Sequence, residues 1–180
     1  MSKPCVILGV TGSIAAIKAP KLVRLLMEKG VDVHCVMTPN AAHFVTPFVL
    51  STLSGAPVIT DMFDSTAAHL PHLKVAEEAD VFLIAPASAA TIARCARGVA
   101  EDMVSLTYLA TKAPVLMAPA MHDTMWDHPA TQENVKILKS RGVQFVGPGI
   151  GPLADNTQGE GRFSEPEEIV SAVEKILSKK

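Results

Sequence analysis

The chain has 180 residues, 48% of them hydrophobic and 19% charged, with a formal net charge of −2. That length suits one domain of ordinary size, and the apolar fraction suits a sizeable core. The charge balance excludes a basic field for nucleic acid or an anionic membrane surface, and no apolar run approaches the ~18 residues of a membrane span.

The low charged fraction and positive mean hydropathy imply apolar surface covered by other subunits. The opening residues lack the apolar stretch and cleavage site of a signal peptide, so a cytoplasmic protein is expected, folded as one domain over 1–180. Cys5, Cys35 and Cys95 are widely spaced, with no CxxC pair. They give neither a disulfide framework nor a zinc signature. Cys5 and Cys35 fall in predicted strands and read as buried thiols.

In chain order, Cys5–Val10 is a short apolar strand. Ile14–Lys29 follows as a helix ended by Gly30, with Pro20 placed to kink or divide it. Val31–Met37 is a second strand, and Pro47–Leu53 a short helix before Gly55. Val81–Ala85 is the clearest buried strand. The pattern then predicts helices over Ser88–Arg97 and Asp102–Thr111, a strand at Val115–Ala118 and a helix over His128–Arg141. A strand at Gln144–Val146 and a closing helix over Pro166–Leu177 complete the chain. Strand and helix alternate throughout, which predicts an α/β fold: a parallel sheet with helices on both faces. The Gly- and Pro-rich stretch from Gly147 to Arg162 is the one long loop expected.

Ligands of such sheets sit beyond the carboxyl ends of the strands. Five segments lie there or near it. Gly9-Val-Thr-Gly-Ser-Ile14 is either a phosphate-binding turn or a plain strand-to-helix turn capped by Ser13. Its spacing is not GxGxxG, and the second strand ends in Thr38 rather than an acidic residue, which favours a mononucleotide over NAD. Ala85-Pro-Ala-Ser-Ala-Ala-Thr91 offers Ser88 and Thr91 at a helix start, as an anion or ring corner or as an ordinary cap. Ala118-Pro-Ala-Met-His-Asp-Thr-Met-Trp126 carries the only Trp beside His122. His69-Leu-Pro-His72 holds a candidate acid/base. Asn156-Thr-Gln-Gly-Glu-Gly-Arg162 reads as a lid or a surface loop, made mobile by Gly159 and Gly161, with Arg162 able to clamp an anion.

Three stretches, GVTGSIAAIKAPKLVRLL, PASAATIARCARGVAEDMVS and PAMHDTMW, in this order and across Pro4 to Ile176, resemble the family of homo-oligomeric flavin-containing cysteine decarboxylases. The resemblance implies a flavodoxin-like parallel sheet, trimers able to stack into dodecamers, and FMN at a subunit interface. It implies FMN contacts at Gly12, Ser13, Ile14, Thr38, Ser88, Ala89, Thr91 and Ala120. His72, in His72-Leu-Lys-Val75, matches the active-site base. His122, Met125, Ala154, Asn156 and Arg162 match the segment and loop that hold the substrate carboxylate.

The implied activity is FMN-dependent oxidative decarboxylation of the cysteine moiety of 4'-phosphopantothenoylcysteine to 4'-phosphopantetheine in coenzyme A biosynthesis. A separate synthetase is a possible supplier of that substrate. Two departures stand out: the family's PAMN is PAMH here, placing His122 where Asn is usual, and Asp155 occupies the position of the loop cysteine. Asp155 takes over that cysteine's proton-donor role only if burial raises its pKa. Otherwise the reaction stops at the enethiol, as in peptide C-terminal cysteine decarboxylases. A non-catalytic FMN-binding regulatory subunit is a further reading, opposed by His72. A flavin prenyltransferase is opposed by PAMHDTMW.

Overall fold

A computed structural model describes residues 3–63 and 71–179. Five apolar segments form one sheet: β1 (Cys5–Val10), β2 (Asp32–Met37), β3 (Val81–Ala87), β4 (Val115–Pro119) and β5 (Gln144–Phe145). Their spatial order is β2-β1-β3-β4-β5, and every pairing is parallel. This is the flavodoxin-like order, the fold class expected from the sequence.

The strands read as unbroken apolar runs because both faces of the sheet are covered. Successive side chains alternate between faces, so Val6, Leu8 and Val10 of β1 enter one core while Ile7 enters the other. The first core is closed by α1 (Ala19–Glu28), α2 (Pro47–Ser54) and α8 (Pro166–Leu177). The second is closed by α3 (Pro71–Glu78), α4 (Ala89–Arg97), α5 (Met103–Ala110) and α7 (Pro129–Ser140). Phe82 of β3 is wholly buried in the second layer. Gly9 makes room for it: a Cβ there would meet Val104 Cγ1 at 3.1 Å and the Phe82 ring at 3.3 Å.

Local signals end the helices where the sequence places them. The Ser88 hydroxyl accepts the Thr91 N–H at 3.3 Å at the start of α4, and Gly98 takes a φ of 72° just past its end. Asp102 caps α5, its carboxylate accepting the Ser105 N–H at 2.8 Å. Pro20 divides the predicted first helix. Ile14–Lys18 is a 3-10 turn, and Pro20 sits in the first turn of α1, where its missing N–H costs no hydrogen bond.

Two expectations are corrected. The stretch from Gly147 to Arg162 is not a long irregular loop: it contains an antiparallel hairpin of β6 (Gly149–Pro152) and β7 (Gln158–Arg162). The aromatic segment after β4 also contains a short helix, α6 (Asp123–Trp126). Cys35 and Cys95 are buried and Cys5 is half-buried. Burial lifts the thiol of Cys5 to about 11 and those of Cys35 and Cys95 to about 12. His69 lies outside the described residues.

Replacing Phe82 with Ala empties the centre of the second core layer. The expected loss is ~3–5 kcal/mol, read as a lower urea midpoint with an unchanged slope.

Candidate functional site

The chain order reverses between β1 and β3, which are neighbours although β2 lies between them in sequence. The loops that follow them diverge to opposite faces and leave a crevice at the carboxyl edge. Thr11, fully buried, joins those loops: its hydroxyl donates to the Pro86 carbonyl at 2.6 Å and accepts the Ser88 N–H at 2.9 Å. The Ser13 hydroxyl donates to the Ala120 carbonyl at 3.1 Å and so ties in the loop after β4. Gly12 lies against Asn40, where an added Cβ would come within 2.6 Å of the Asn40 Cβ.

Two hollows flank this turn. One, of about 320 Å³, is lined by Gly12, Thr38, Ser88, Ala89, Thr91 and Met125, with Asn40 and Arg94 beside them. The Thr38 hydroxyl oxygen is buried there without a hydrogen-bond partner. A buried polar atom of this kind calls for a ligand or water. The other hollow, of about 430 Å³, is lined by Ser13, Ile14, Ala120, His122, Ala154 and Arg162, with Lys18 and Phe163. Small residues on both sides leave backbone exposed to a flat group, and the hydroxyls and helix start of α4 suit a phosphate. The residues present therefore fit a flavin mononucleotide.

The hairpin lies directly on the start of α6. Met121 donates its N–H to the Gly161 carbonyl at 3.1 Å. A Cβ on Gly159 would strike the Asp123 side chain at 2.4 Å, and one on Gly161 would strike the Met121 carbonyl at 2.2 Å. Gly161 lets two backbones pack closely and Gly159 leaves room for the Asp123 side chain, a packing role beside the mobility expected from the sequence. At the hairpin tip, Asp155 sits in a turn closed by Leu153 N–H to Thr157 carbonyl at 2.8 Å, with Asn156 at a φ of 68°. One carboxylate oxygen of Asp155 accepts both the Thr157 hydroxyl, at 2.7 Å, and its N–H, at 3.1 Å. The other oxygen lies 3.2 Å from His122 Nε2. On the other side of the ring, His122 Nδ1 lies 2.9 Å from the Thr124 hydroxyl and 2.8 Å from Asp123 Oδ1.

The Thr157 hydroxyl first, then its N–H and the His122 ring, hold the Asp155 carboxyl at about 2, below its ordinary 3.8. The condition attached to Asp155 as a proton donor, a raised pKa, is therefore not met. This side chain is a fixed carboxylate at neutral pH. Lys18 lies 3.5 Å from Glu165 and 5.9 Å from the centre of the Phe163 ring, and Arg162 bonds the other oxygen of Glu165.

Of the residues singled out in the sequence, His122, Ala154 and Arg162 meet in the larger hollow, while Met125 lines the smaller one. Asn156 shapes the tip of the hairpin and lines neither. His72 stands in the first turn of α3 and is absent from the described lining of both hollows. Its Nδ1 is buried without a partner. Sequence reasoning passed over Thr11, Lys18, Asn40, Arg94 and Phe163. For Thr11 the signal was available: a hydroxyl inside the first Gly turn has no water to bond. Lys18 ends the 3-10 turn that Ile14 begins and lines the same hollow.

A family model described as Flavoprotein matches residues 1–178. The coenzyme A biosynthesis bifunctional protein CoaBC of Haemophilus influenzae is 43% identical over 176 residues, covering 97% of this chain and 44% of that protein. The chain thus spans less than half the length of such relatives. Among solved structures, a PPC decarboxylase mutant complexed with pantothenoylaminoethenethiol superposes with a TM-score of 0.89 at 29% identity, covering 98% of this chain and 100% of that one. The FMN-dependent cysteine decarboxylase SpaF gives 0.84 at 30%, covering 98% and 96%.

Two outcomes follow from the hairpin. The Asp155 carboxyl is expected to titrate near 2 in carboxyl-detected NMR. Because its folded pKa is depressed, its support of the hairpin is complete above about 3.8 and fades as pH falls through about 2. Gly161→Ala is expected to lift β7 from α6, seen as exchange of the Met121 amide hydrogen about tenfold faster or more.

Proposed function

Since the chain belongs to the Flavoprotein family, we propose that it is an FMN-dependent decarboxylase of the cysteine moiety of 4'-phosphopantothenoylcysteine, in coenzyme A biosynthesis. The observation that carries the reading is the pair of hollows either side of the Gly12–Ser13 turn. One offers an unpartnered hydroxyl and small residues, and the other a histidine and two cations. The names of CoaBC and of the PPC decarboxylase support the substrate class.

Thr38, Ser88, Thr91 and the backbone of Gly12, Ser13, Ile14, Ala89 and Ala120 would hold the FMN. A bound flavin supplies two-electron oxidation of the thiol-bearing carbon, which creates the electron sink a departing carboxylate needs. His122 and Arg162 orient the carboxylate by charge-assisted hydrogen bonds, and Met125, Ala154 and Asn156 frame the substrate around them. His72 acts as the base that takes a proton from the thiol-bearing end.

His72 is absent from the described lining of both hollows of its own chain, and in this reading it serves a flavin held partly by a second copy. Large apolar residues exposed at the site and beyond it, with Ile14 at 52%, Ile17 at 59% and Phe48 at 78%, fit such a homo-oligomer, a trimer or an assembly of trimers. No helix among the described residues is long and apolar enough to cross a membrane; a cytoplasmic setting and a synthetase partner go with the proposed place in coenzyme A biosynthesis.

One observation favours a second reading. With Asp155 held as a carboxylate in place of a cysteine, the hairpin supplies no acid, and the reaction stops at the enethiol, as for a peptide C-terminal cysteine decarboxylase.

The purified protein is expected to be yellow and to release carbon dioxide from 4'-phosphopantothenoylcysteine. Product mass separates the two readings, since the enethiol is ~2 Da lighter than the thiol. His72→Asn is expected to lower turnover by ~10²–10⁴ with the flavin still bound. A colourless protein, or full turnover in that variant, refutes the assignment.

A further inference from the structure

His122 has no free ring nitrogen. Nδ1 is engaged by the Thr124 hydroxyl and Asp123, and Nε2 faces Asp155 at 3.2 Å. A histidine so engaged cannot grip a substrate carboxylate until one partner leaves. The Nδ1 partners are local, since Thr124 and Asp123 belong to the turn that His122 itself caps. The Nε2 partner is not. Asp155 stands 33 residues away in sequence, on a hairpin tip, with its side chain 49% exposed.

Its own hydrogen bonds make Asp155 the partner that yields. Oδ1 accepts both donors from Thr157, and Oδ2 has only His122. Losing His122 leaves the turn intact and returns one oxygen to water. What replaces Asp155 at Nε2 is another carboxylate, so the imidazole keeps a carboxylate partner through the exchange.

We infer that Asp155 is a positioning residue that keeps the place of the substrate's carboxylate on His122; this rests on the decarboxylase reading above. It holds the imidazole before the substrate arrives and yields it to the incoming carboxylate. When that group departs as carbon dioxide, Asp155 takes the imidazole back, so His122 is paired in the product complex as well. His122 and Asp155 are then one device. Asp155 counts against ligands that carry a carboxylate and leaves untouched those that lack it.

The test uses the flavin-loaded full-length protein and two unreactive probes. One is the serine counterpart of the substrate, 4'-phosphopantothenoylserine, which keeps the carboxylate but has no thiol. The other is the same molecule without its carboxyl group. Calorimetry of Asp155→Asn, which keeps the Thr157 bonds through its amide oxygen, is expected to show the carboxylate probe bound about three- to tenfold tighter than by wild type. The probe without a carboxyl group should bind within about twofold of wild type. In the flavin-free protein, the ¹⁵N signal of His122 Nε2 should move in Asp155→Asn while the Leu153 to Thr157 turn keeps its amide shifts. Unchanged or weaker binding of the carboxylate probe by the variant overturns the inference, as does equal tightening of both probes. Either result leaves decarboxylation, measured separately, standing. Failure of wild type and variant alike to bind the carboxylate probe overturns both the inference and the reading beneath it.

Discussion

The buried hydroxyl of Thr11 is the contact on which the site depends. A parallel sheet brings the ends of β1 and β3 together but leaves the loops beyond them as irregular backbone with unmet hydrogen bonds. Thr11 satisfies one donor and one acceptor of the β3 loop at once, without water. Ser13 repeats the device toward the β4 loop. Three loops, far apart in sequence, are held as one rim, and both hollows open along it. Rim residues can then stay small, because their placement comes from backbone ties and not from side-chain bulk.

The fold was legible because its signals are local. Strands buried on both faces read as unbroken apolar runs, and Ser88, Gly98, Asp102 and Gly55 mark helix ends by short-range chemistry. The Gly turn and the hydroxyls after β2 and β3 were legible for the same reason: their positions follow from where strands stop. The hairpin was missed because its stability does not lie in its own sequence. β6 and β7 have little apolar alternation, and Gly159 and Gly161 read as looseness when considered alone. Only the approach of the Asp123 side chain to Gly159 and of the Met121 backbone to Gly161 shows why side chains are excluded there. Lys18 and Glu165 meet across 147 positions of chain, a distance over which no sequence window carries information.

The site divides its labour by rigidity. The smaller hollow is built from sheet ends and helix caps, whose geometry is fixed by the core. The larger hollow is closed on one side by the hairpin, held to α6 by backbone contact and by the Asp155–His122 pair. His72 lines neither hollow among the described residues.

The buried cysteines have a chemical consequence. With thiols lifted to about 11 and 12, the chain presents almost no thiolate at neutral pH. A protein that handles sulfur-bearing ligands is exposed to mixed disulfides and to capture of electrophilic carbon–sulfur double bonds by its own side chains. None of the three cysteines lines either hollow among the described residues, so the scaffold sets no thiol of its own there to form a mixed disulfide.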